Sequence, residues 1–243
     1  MTRAKVLLYA LHLVGNASLL WLGYVWLGMN EADSSRLAGS ALVLLVFVLA
    51  ALWLHGTALA LFDRDLSLSF RGAAIRALRC LPWLFLLAVA VAIVYGLLAY
   101  AYGALEHTAF VIGSFLTMTI RKPVPPAKVM ACFHGFIWLL RWIVVPALAF
   151  PMAAGIIAQR SPWLKRRWLY WLEVAALSLC AVWIPLRLLN WIPKAEAFGM
   201  QLFSFSIRIG FGYLLFVAAV LALEFFTSSG KPRSSQVSTA ASP

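Results

Sequence analysis

From Cys80 to Leu105 not one side chain is charged. Long uncharged apolar stretches recur along the chain, and they constrain its fold more than any motif does. A soluble helix needs apolar residues on one face only, whereas a helix crossing about 30 Å of hydrocarbon needs roughly 20 in succession. Composition agrees, since 64% of the 243 residues are hydrophobic and only 12% are charged. The expected fold class is all-α, a polytopic membrane helix bundle. Lipid offers the backbone no hydrogen-bond partner, and the alternating pattern of a barrel strand is absent.

Hydropathy places about six transmembrane helices, at 5–28, 38–62, 81–105, 132–158, 168–190 and 207–226. Two further segments read as helices at the surface. The stretch 63–83 spaces Arg71, Arg76 and Arg79 among small and apolar residues, as an amphipathic helix on the inner face would. Residues 107–120 are apolar but too short to cross, which predicts an outer interfacial or re-entrant helix. The prolines of "RKPVPPAK" then predict a stiff connector. Residues 1–226 form one transmembrane domain, and the Ser/Thr-rich stretch 227–243 is expected to be a disordered cytoplasmic tail. The first apolar run exceeds the length of a signal-peptide core, so it reads as an uncleaved span.

Positive charge orients the bundle. Twelve Lys and Arg fall at positions 3–5, 64–79, 160–167 and 231–233 on one side, and five, at 36, 121, 122, 128 and 194, on the other. The expectation is a bacterial inner membrane protein with both termini cytoplasmic. The net charge of +12 is accounted for by these connecting segments, so no nucleic-acid partner is expected. Cys80, Cys132 and Cys180 show no paired spacing, and no metal site or disulfide is predicted. Asn16 begins a glycosylation-like "NAS", but inside a span.

Arg141 is the strongest lead to function. In one continuous helix it would share a face with His134 and Trp138, at i, i+4 and i+7. Near the outer end its head can snorkel outward or rest on Trp138, and the alternative, which is predicted here, is that the face looks into the bundle as an anion site. Arg187 and Arg208 fall at a similar outer level, with Arg121, Lys122 and Lys128 in the adjoining loop. Four acids, Glu31, Asp33, Glu106 and Glu196, are too few to balance them. Anionic lipid headgroups, a lipid-linked phosphate or an acidic partner would supply the compensation. Pro146 and Pro151 should kink the fourth span, and Ala88, Ala92 and Gly96 should mark close helix packing.

The histidines form a second pattern. His12 and His55 share a depth on neighbouring antiparallel spans, the placement that axial ligands of haem b need, while His107 and His134 flank the outer boundary. Chance produces such matches readily, so haem stays an alternative and no cofactor is predicted. Glu173 and Glu224 read as interfacial carboxylates without buried partners. Glu173, Cys180 and Arg187 recur every seven residues along one face. No catalytic motif is present. Three function classes follow: transport or lipid and anion handling through the outer basic cluster, a non-catalytic subunit docking an acidic or membrane-protein partner, and a haem b electron-transfer subunit. Membrane lipids are the expected partners, and an enzymatic role is the less favoured one.

Overall fold

The computed structural model describes residues 3–29, 33–63, 66–160, 168–191 and 198–228, with side chains from Val6 onward. Arg64, Lys165, Arg166, Arg167, Lys194, Glu31, Glu196 and the expected tail beyond Ser228 lie outside the described residues, as do the side chains of Arg3 and Lys5. The elements are α1 (Arg3–Leu27), α2 (Ser34–Phe62), α3 (Phe70–Ile120), α4 (Pro126–Leu139), a π-helical turn (Leu140–Val144), α5 (Val145–Ala158), α6 (Trp168–Ser178), a second π-helical turn (Leu179–Trp183), α7 (Ile184–Asn190) and α8 (Phe198–Ser228). Among the described residues there is no strand. Six units are long and apolar enough to cross a membrane, with α4–α5 and α6–α7 each counting as one. The chain is a multi-pass membrane helix bundle. Its terminus end is where α1 starts and α8 finishes, and its hairpin end is where α3 turns into α4.

Short polar side chains start two of the helices. The Asp33 carboxylate accepts the Arg36 N–H at 2.9 Å to begin α2, and the Ser69 hydroxyl accepts the Gly72 N–H at 3.2 Å to begin α3. At the terminus end α2, α3 and α5 meet through small residues. A Cβ added to Gly56 would stand 3.1 Å from Leu84 Cδ1 and 3.3 Å from the Cβ of Ala77, so glycine sets how closely α2 approaches α3. Ala60, Ala73, Ala77 and Ile157 fill the same core. The expected small-residue seam lies elsewhere on α3: Ala88 is half-buried, Ala92 is exposed, and a Cβ on Gly96 would meet nothing within 4 Å.

The amphipathic inner helix, the third span and the outer helix expected as separate segments are one 51-residue helix, α3. Hydropathy registers the polar residues Glu106 and His107 as a boundary, yet nothing there breaks a helix. Beyond the level of Gly56, α3 has about 60 Å of length left and α2 only about 33 Å, at 1.5 Å per residue. The outer part of α3 therefore stands clear of α2 and pairs with α4. Its tip is fixed by Thr117, which accepts the Val124 N–H at 2.9 Å, and by Gly113, where a Cβ would come within 3.3 Å of the Val124 carbonyl. Arg121 ends α3 in the left-handed conformation, and α4 begins at Pro126.

Proline positions both π turns. Pro146 and Pro185 each follow a π turn by two residues, and the amides just before them bond five residues back, Val145 to Leu140 and Ile184 to Leu179. In that register the Arg141 carbonyl would accept from residue 146, a proline with no N–H. Tyr95 on α3 supplies the missing donor, its hydroxyl reaching the Arg141 carbonyl at 2.8 Å.

Spin labels at the exposed positions Trp83 and Phe115 should lie about 48 Å apart, as 32 residues of unbroken helix require. A distance below about 35 Å would mean that residues 107–120 fold back as a separate segment. Tyr95→Phe should cost roughly 1 kcal/mol. In a Pro146→Ala background, where the backbone can furnish its own donor, the cost should shrink, which a double-mutant cycle measures directly.

Candidate functional site

The side chains of the expected outer cluster divide among separate local contacts. His134 stacks on Tyr102 with centroids 4.3 Å apart, and Trp138 meets Trp183 edge to face at 5.5 Å. Arg141 is exposed, against the expectation that it faces the bundle interior. The π turn widens the helix just where Arg141 sits and breaks its i+7 relation to His134. Its guanidinium instead lies over Trp142, at 5.0 Å, and near Tyr95, at 6.0 Å. Arg187 is exposed over Trp183 at 5.6 Å, and the second π turn likewise interrupts its seven-residue spacing to Glu173 and Cys180.

Arg208 has a structural task. It donates through Nη1 to the carbonyls of Leu188, at 3.1 Å, and Trp191, and through Nε to Ser204 at 3.2 Å. A cation at the end of α7 satisfies carbonyls that the helix itself leaves without donors. Arg121, Lys122 and Lys128 are exposed around the hairpin tip. His107 is exposed as well and is not brought to His134.

At the terminus end the matched depth of His12 and His55 is realised, and a third residue joins them. The rings meet edge to face with centroids 5.4 Å apart. Glu224 of α8 bridges the pair: its Oε1 is 2.7 Å from His55 Nδ1 and its Oε2 is 3.5 Å from His12 Nε2. The expectation of an interfacial Glu224 without a buried partner is corrected here. Glu224 and His12 have fully buried side chains, and His55 is 26% exposed. The α8 helix runs on to Ser228, with Thr227 and Ser228 buried, so Glu224 lies a full turn inside the helix end rather than at a frayed tip. With one carboxylate bridging both imidazoles, the rings leave no slot between them for a macrocycle.

Neighbouring groups hold this triad in place. The buried Asn16 amide donates to the His12 carbonyl at 2.9 Å and approaches His12 Nδ1 at 3.4 Å, which gives the "NAS" asparagine an internal role. One turn nearer the helix ends, Arg160 pairs with Asp63 at 3.0 Å and donates to the Ser228 carbonyl at 2.8 Å, while the Ser228 hydroxyl donates to the Leu59 carbonyl at 3.0 Å. These bonds tie α2, α5 and α8 together just beyond the triad. On its other side, His55 lines a cavity of about 310 Å³ whose remaining walls are apolar, from Leu52 and Leu59 of α2 through Leu84 to Val91 of α3, Ala149 to Ala153 of α5, Val182, and Phe216 and Val220 of α8.

Sequence spacing pointed to His12 and His55 but not to Glu224. A lone carboxylate four residues from a helix end looks interfacial, and only the packing of α8 against α1 and α2 reveals its partners. Glu224→Ala should lower stability by roughly 1 to 3 kcal/mol, the cost of leaving a buried hydrogen-bonding partner unsatisfied. Glu224→Gln, which keeps an acceptor oxygen for His55, should cost less. Thermal unfolding in mild detergent measures both, and equal midpoints for wild type and both variants would show that the contact carries no stability.

Comparison with family models, with curated proteins and with solved structures found no match for this chain.

Proposed function

We propose that this multi-pass membrane protein binds and handles an amphiphile with an apolar chain and an anionic head, the chain held in the cavity within the bundle and the head at the hairpin-end cations. The cavity carries this reading: its walls are apolar apart from His55, and its volume of about 310 Å³ lies at the lower end of the ligand-pocket range. Its far wall points to the basic residues. Val91 is one helical turn, about 6 Å, before Tyr95, whose hydroxyl bonds the Arg141 backbone. Val182 precedes Trp183, against which Arg187 is laid. A chain in the cavity thus has two guanidinium groups within reach of its head, on aromatic supports that limit their motion.

A bacterial inner membrane with cytoplasmic termini suits this reading, the head then binding from the outer leaflet. A second reading, an accessory subunit docking a partner, is favoured by the hairpin, where Phe110, Phe115 and Met118 are exposed near Arg121, Lys122 and Lys128. Phospholipid occupancy is the measurement that separates the two.

Native mass spectrometry of protein purified in mild detergent should show bound anionic lipid in preference to zwitterionic lipid. Arg141→Gln should weaken retention roughly tenfold to a hundredfold, the loss of one charge-assisted contact, and Arg141→Lys should fall between, since lysine lacks the planar fork. Ala149→Phe should displace the chain. If lysine behaves as wild type, glutamine is barely impaired and Ala149→Phe changes nothing, the cations are interfacial anchors and the cavity holds only bulk lipid.

A further inference from the structure

We propose that His12, His55 and Glu224 form a binding site for one divalent transition-metal ion of the class zinc represents. One donor atom from each residue lies within 4.8 Å of the others. Donors arranged tetrahedrally around zinc at about 2.0 to 2.2 Å stand about 3.4 Å apart, and His12 Nε2 and Glu224 Oε2 are already separated by 3.5 Å. These two atoms are the unsatisfied part of the triad. Both side chains are fully buried, and neither atom has a hydrogen-bond partner among the described residues. In hydrocarbon an imidazole nitrogen and a carboxylate oxygen that face each other at 3.5 Å without a hydrogen bond cost free energy, and a cation between them satisfies both at once.

Two imidazoles and a carboxylate select the borderline divalent metals over magnesium or calcium, which take oxygen-only ligand sets. Three protein ligands leave a coordination position open, and of the three only His55 borders open space, the cavity wall. A hydroxide or an anionic ligand entering from there balances the charge that one carboxylate leaves on a dication. Asn16 is the outer-shell group. Its amide donates to the His12 carbonyl at 2.9 Å and stands 3.4 Å from Nδ1, which fixes the turn of α1 that presents the ring to the site. The site is drawn from α1, α2 and α8, so it exists only in the folded bundle. It shares a wall with the cavity but uses none of the hairpin-end cations, and it stands whether or not an amphiphile binds.

Protein stripped with a chelator in mild detergent is titrated with zinc, read by elemental analysis after desalting, and with cobalt(II), read by its visible d–d bands. One equivalent per chain is expected, with intense cobalt bands from a low-coordinate site. His12→Ala, His55→Ala and Glu224→Gln should each abolish retention. Asn16→Ala should weaken binding roughly 10- to 100-fold, the usual cost of losing an outer-shell partner. His107→Ala, His134→Ala, Cys132→Ser and Arg141→Gln should bind as wild type, and circular dichroism checks the helicity of every variant. Failure of the wild-type protein to retain either metal would overturn the proposal without involving any variant. So would retention that survives both His12→Ala and Glu224→Gln, or retention that disappears with His107 or Cys132. Loss of lipid retention in Arg141→Gln with metal binding intact bears on the amphiphile reading alone.

Discussion

A backbone carbonyl in hydrocarbon that loses its helical donor has no water to replace it. Much of the polar chemistry in this bundle answers that constraint. The Tyr95 hydroxyl serves the Arg141 carbonyl that Pro146 leaves open, and Arg208 serves the last carbonyls of α7. At the opposite end Arg76 donates to the Ile157 carbonyl near the end of α5, at 2.9 Å, and Arg160 to the carbonyl of Ser228 at the end of α8. Each of these arginines sits at a helix C-terminus, where carbonyls lack donors and the helix dipole favours a cation. Because α2, α5 and α8 all finish at the terminus end, that end requires basic residues for helix capping whatever the membrane's orientation. Arg76 and Arg160 therefore serve this end as caps whichever side of the membrane it faces.

What could be read from sequence follows from which physical signals are local. Six spans were legible because hydrophobic length is a local property, and so was the shared level of His12 and His55, which needs only a residue count along two neighbouring helices. Helix continuity was not. The polar pair Glu106 and His107 ends a hydropathy window but leaves the helix intact, so hydropathy alone divides the 51-residue α3. Periodicity across a proline misled in the same way: His134, Trp138 and Arg141 share a face only if the helix keeps 3.6 residues per turn, and the π turn at Leu140 abolishes that premise. Glu224 was invisible for a different reason. Its partners lie 169 and more positions away in the chain, and no local pattern announces a carboxylate that is buried by two other helices.

The cavity lies between the triad and the level of the two π turns. Its terminus-end wall contains His55, and its other wall includes Val91, one helical turn before Tyr95, and Val182, next in the chain to Trp183. The π turns contribute to this arrangement, since they set the rotation of α4 and α7 at the hairpin end of the cavity and bring Trp138 against Trp183. A straight pair of helices would carry the same residues to different faces. Proline here acts through register: by denying one hydrogen bond it favours a wider turn, and that turn decides which side chains face one another beyond it.

The position of α1 gives the triad a second consequence. This helix packs mainly on α2 and α8, and many of its large apolar side chains are exposed, among them Val14, Trp21 and Tyr24. Besides Leu8, seated beside Ala58 and Phe62, its ties to other helices include polar ones: His12 on Glu224, the Trp26 indole donating to Ser40, and the Tyr213 hydroxyl donating to the Leu13 carbonyl. Lipid solvates apolar side chains as well as a protein does, so apolar contact alone gives α1 little reason to stay against the bundle. Polar contacts give it one, because separating α1 would expose His12 and Glu224 to hydrocarbon. Any ligand that completes the triad binds only when α1 is docked, and by linkage it stabilises that docking to the same extent.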